Sequence, residues 1–92
     1  MELWNEYGIA SYNGMVMAEY SRLMTKNYMM MNNNMIGERE GWSEILRLTN
    51  LLIMEVTFVT ELNVLRSDVG ANIGAELIDV RKAAERALRR LG

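Results

Sequence analysis

The sequence predicts an all-α protein, a helical hairpin or small helix bundle with one long C-terminal helix, expected to be oligomeric. Three observations carry that prediction. An apolar stripe runs through Leu51, Met54, Phe58, Leu62, Leu65, Val69, Ile73, Leu77, Val80, Ala84, Leu88 and Leu91 at spacings of three or four. That is the interval at which side chains return to one face of an α-helix. The chain has no proline, so no position forces the backbone out of a helix. Half of its 92 residues are hydrophobic, which suits one folded domain with a small core.

Residues 9–31 read as the first helix, preceded by a short turn through Leu3, Trp4 and Tyr7. Met17, Tyr20, Met24, Tyr28, Met31 and Met35 step by three or four, and Tyr12, Val16 and Leu23 widen the stripe. Gly8 and Gly14 weaken its start, since glycine costs about 1 kcal/mol in a helix interior. Asn32-Asn33-Asn34 reads as a loop or cap, because asparagine competes with the helix by bonding nearby backbone. Gly37 and Gly41 then bracket the charged piece Glu38-Arg39-Glu40, which completes a connector over residues 32–42.

The second helix reads over residues 43–90. Residues 67–74 are the one stretch that offers a bend, since the cap-type residues Ser67 and Asp68 precede Gly70. The stripe nevertheless crosses that stretch in phase, which favours a continuous or merely bent helix. Such a helix would be about 70 Å long, whereas a compact domain of this size has a radius of gyration near 12 Å. Apolar surface is also too widely spread for one partner helix. Ile45, Leu52, Val56 and Val59 widen the stripe on one side, and Ile53, Val64 and Ile78 fall on the opposite face. Self-association along Leu51, Met54, Phe58, Leu62, Leu65, Val69, Ile73, Leu77 and Val80 is therefore expected, as a coiled-coil-like seam, the alternative being that the second helix folds back at Gly70 into a monomeric three-helix bundle.

Composition excludes much chemistry. There is no cysteine and no histidine. Disulfides, thiolate catalysis, serine–histidine pairs and the usual zinc, copper and haem sites are thereby removed. No catalytic residue, cofactor or metal ligand is expected. Glu55 is the least comfortable side chain, because it projects into the stripe between Leu51, Leu52, Phe58 and Val59. It is expected to be buried, and so either protonated or paired, with Arg22 or Lys26 as the available cations, fixing helix register rather than acting as an acid or base. Gly70 and Gly74 form a G-x-x-x-G, which suits either close helix approach or a kink. Nine methionines read first as core filler and second as an adaptable surface. Tyr7, Tyr12, Tyr20 and Tyr28 suit an interface or a half-buried helix equally.

Net charge is −2, yet the C-terminal stretch is basic. Arg81, Lys82, Arg86, Arg89 and Arg90 lie mostly off the stripe. They form a candidate anion or nucleic-acid contact set, or else a solvated helix end that complements the macrodipole. The run from Leu51 to Leu65 is interrupted by Glu55, Glu61 and Asn63, short of the about twenty apolar residues of a membrane span. With an acidic Met1-Glu2 opening and no leader pattern, the chain is expected to be soluble and cytoplasmic, a virion or leaderless secreted location being compatible. The function expected is a non-enzymatic self-assembly or protein-interaction module: a structural, virion, filament or adaptor subunit. The alternative is a dimeric nucleic-acid-binding protein using the basic helix. Expected partners are a second copy, then another protein, then nucleic acid.

Overall fold

Two asparagines set the course of the chain. Asn34 and Asn63 adopt φ of 58° and 59°, the left-handed region that asparagine tolerates better than most residues. The computed structural model describes residues 12–63 and 65–92. Its three helices are α1 (Tyr12–Asn32), α2 (Glu38–Glu61) and α3 (Ser67–Leu91), with no strand among the described residues. The expected turn through Leu3, Trp4 and Tyr7, the start of the first helix at residues 9–11, and Val64 lie outside the described residues.

Each asparagine follows a helix end and turns the chain back. After α1, Asn34 N–H donates to the Met31 carbonyl at 3.1 Å and Met35 N–H to the Met30 carbonyl at 2.8 Å. This is the paired closure of a Schellman motif, which satisfies carbonyls that the helix itself leaves without partners. After α2, Asn63 N–H donates to the Thr60 carbonyl at 3.1 Å, and Leu65 N–H reaches back to Val59 at 3.1 Å. The long helix expected over residues 43–90 is therefore two helices, broken at 62–66, just ahead of the expected bend at 67–74. Phase was a poor guide here. A reversal of five residues can return an apolar side chain to the core as readily as another turn of helix, and Leu65 does so.

The connector is also shorter than residues 32–42. Glu38-Arg39-Glu40 forms the first turn of α2, where the carboxylates of Glu38 and Glu40 complement the positive end of the helix dipole. Gly41 sits inside this helix because the site leaves little room. A Cβ there would stand 2.8 Å from the Met31 Sδ.

α2 is the central helix, packed against both neighbours, while α1 and α3 approach each other far less. All three run antiparallel in sequence. Tyr28 at the end of α1 meets Trp42 at the start of α2 edge to face, with ring centroids 6.0 Å apart. Arg39 in the first turn of α2 donates to the Leu91 carbonyl at the end of α3, at 2.9 Å. The molecule measures 40 × 21 × 16 Å. Folding back resolves the mismatch that a continuous helix of about 70 Å would have created.

The core draws on all three helices. α1 contributes Met17, Met24 and Met31, α2 contributes Ile45, Leu48, Leu52, Val56 and Val59, and α3 contributes Ile73, Leu77 and Ala84. Two hydroxyl residues are fully enclosed, Ser21 and Thr49. Thr49 Oγ1 donates to the Ile45 carbonyl at 2.6 Å, which meets the requirement that a buried hydroxyl be hydrogen-bonded. Among the described residues no buried side-chain polar atom lacks a partner.

Candidate interaction surfaces

The residues expected to form one continuous seam divide at the α2–α3 reversal. Leu65, Ile73 and Leu77 are buried inside the chain's own core, Ile73 and Leu77 at 0% and 1% exposure. Val69 and Val80 pack against that core from its edge. Leu65, Ile73 and Leu77 are thereby corrected as interface residues, because α3 folds back onto α2 and the chain covers them itself, whereas Val69 and Val80 are only half-buried. The α2 part behaves oppositely. Met54, Phe58 and Leu62 are 67%, 53% and 55% exposed, with Leu51 half-buried beside them.

Helix geometry explains the division. At 100° per residue, Ile45, Leu48, Leu52, Val56 and Val59 share one arc of α2, and that arc faces the core. Leu51, Met54, Phe58 and Leu62 occupy a second arc that neither of the other described helices covers. Seven residues, two turns, on either side of Met54 lie Arg47 and Glu61, both exposed on the same arc. Residue type alone does not single out this pair. The 47–54–61 spacing was the available signal.

Glu55 is half-buried rather than enclosed. Among the described residues it makes no ion pair. Arg22 is engaged with Glu19 on α1 instead, and Lys26 is exposed. The expectation of a buried side chain is thus corrected. Glu55 stands at the border between the core-facing arc and the outer one, so its carboxylate reaches water.

The basic residues lie along α3. Lys82, Arg86, Arg89 and Arg90 are exposed, and Arg81 is half-buried. Arg81 faces Glu85 at 3.7 Å, whereas the other four make no ion pair among the described residues. Lys82, Arg86 and Arg89 recur on successive turns, and with Glu85 they line an open cavity of about 210 Å³. Arg89 and Arg90 occupy the last turn of the helix, where the dipole favours them.

The two glycines of the G-x-x-x-G act separately. Gly70 is buried against Thr60 of α2, where an added Cβ would stand 2.3 Å from Oγ1. Gly74 has nothing within 4 Å of such a Cβ. The motif brings α3 close to α2 at one point and no further. Of the methionines, Met17, Met24 and Met31 fill the core, while Met15, Met29, Met35 and Met54 are exposed. Among the described residues no three acidic side chains come together as they would around a metal ion. No described helix is long and apolar enough to cross a membrane.

No protein-family model, curated protein or solved structure matches this chain.

Proposed function

We propose that the chain is a non-enzymatic protein-interaction module that self-associates through the outer arc of α2, as a structural, filament or adaptor subunit does. The observation that supports this is the row Met54, Phe58 and Leu62, exposed on consecutive turns with neither of the other described helices over it. Contiguous exposed apolar surface on a small folded unit marks a contact site. The three side chains offer on the order of 300 Å². A standard interface buries about 800 Å² per partner, so association is weak and depends on concentration. Sedimentation equilibrium from about 10 μM to about 1 mM tests it. The mass should rise with concentration, and Phe58→Glu should hold it at one chain with an unchanged helical circular dichroism signal. A single-chain mass across the whole range for the native sequence refutes self-association.

A second reading, nucleic-acid binding, is favoured by the ridge of Lys82, Arg86, Arg89 and Arg90, whose charges are not neutralised within the described residues. Phosphate contacts of this kind release counterions and weaken steeply with salt. A mobility shift of duplex DNA at low salt, lost when Arg86, Arg89 and Arg90 become glutamine, would support it. Absence of any shift at low salt removes it.

A further inference from the structure

We infer that the partner on the outer arc of α2 is a second copy of the same helix, antiparallel, with the two-fold axis at Met54. This rests on the self-association proposed above and adds its geometry. Within two turns of Met54 the arc carries one cation and one anion at equal distance from it, Arg47 on the amino side and Glu61 on the carboxyl side, both exposed. A two-fold at Met54 brings Arg47 of each copy opposite Glu61 of the other, twice over. It also brings Leu51 beside Phe58 of the other copy, again twice, with Met54 beside Met54 on the axis. A parallel pair in register would instead place Arg47 beside Arg47 and Glu61 beside Glu61, which is repulsive at both positions.

The remaining geometry permits this arrangement. The side chains that α2 buries against α1 and α3, from Ile45 to Val59, point well away from Met54, so neither outer helix obstructs the approach. Arg47 already holds Glu44 of its own helix, one turn away. An exposed pair of that kind contributes only about 0–1 kcal/mol, and exchanging it for Glu61 of the other copy costs little. The contact is isologous and closes at two chains. It leaves the basic ridge of α3 uncovered.

The absence of cysteine makes single-cysteine cross-linking the direct test. Arg47→Cys and Glu61→Cys are prepared separately, then oxidised alone and as a mixture. In the antiparallel pair, the two copies of either position lie about 21 Å apart along the axis, beyond the about 4.4–6.8 Å that a disulfide spans between Cα atoms. The mixture should therefore yield a covalent heterodimer, and neither variant should cross-link to itself. Self-linking of each variant alone overturns the orientation. So does a dimeric sedimentation mass with no cross-link in the mixture, and either result leaves self-association intact. A single-chain mass for the native protein overturns both. Charge reversal gives an independent reading. Arg47→Glu should weaken the dimer roughly tenfold, and adding Glu61→Arg to the same chain should restore it. Failure of the double variant to recover counts against the pairing.

Discussion

α2 and α3 are nearly equal in length, 24 and 25 residues, but they distribute apolar side chains on different plans. α3 keeps Ile73, Leu77, Ala84 and Ala87 on one arc and turns Lys82, Arg86 and Arg89 outward. α2 is apolar on two arcs, one filled by Ile45, Leu48, Leu52, Val56 and Val59, the other by Met54, Phe58 and Leu62. A helix with a single apolar stripe has its orientation fixed by its own residues. A helix that is apolar on two sides leaves the choice to its neighbours. In this chain the five-arm core arc goes inward, and the row of larger, softer side chains goes outward.

The largest expected effect separates the two plans. Leu77→Ala should lower unfolding free energy by about 2–5 kcal/mol, because it empties a fully enclosed site. Phe58→Ala should change the stability of the isolated chain by about 0.5 kcal/mol or less, as exposed substitutions do. Urea denaturation at low protein concentration measures both, and equal losses would show that Phe58 is not on an outer face. Next in size is Gly70→Ala, expected to cost about 1–3 kcal/mol through overpacking against Thr60. Adding Thr60→Ala should recover most of that loss, whereas a persistent deficit would place the conflict elsewhere.

Gly74→Ala should act in the reverse direction, adding about 0.5–1 kcal/mol, since the site is open and alanine restricts the unfolded chain. The opposite signs at Gly70 and Gly74 would confirm that only the first contacts α2. The smallest effect concerns pH. The Glu44 carboxyl is held below the ordinary glutamate range by the hydrogen bond from Arg47, and Glu19 likewise by Arg22. A carboxylate depressed in the folded state adds stability above its unfolded pKa and loses it as pH falls through its folded value. Thermal midpoints should therefore decline slightly on acidification below about pH 4. Glu44→Gln should flatten part of that decline. Both pairs are solvent-screened, so the change is slight.

Much of the architecture was readable from residue order. The all-helical class, the first turn at Asn32-Asn33-Asn34 and the outward ridge of Lys82, Arg86 and Arg89 follow from spacing and local chemistry. The break after α2 was not readable from phase. Leu62, Leu65 and Val69 keep helical spacing across a reversal, and Asn63 looked like an interruption of an apolar run rather than a left-handed turn residue. Of the expected seam, Met54, Phe58 and Leu62 remain on the surface, while Ile73 and Leu77 became core. Glu55 misled for the same reason: its neighbours along the helix are apolar, but one of its sides faces water.

Residue order alone determined the helical class and the spacing at which apolar side chains recur, because helical periodicity is a local property of the chain. Only the tertiary structure decided which of the two apolar arcs of α2 is enclosed. That choice depends on the left-handed turn at Asn63 and on the fit of α3 at Gly70, contacts between residues that no local pattern connects.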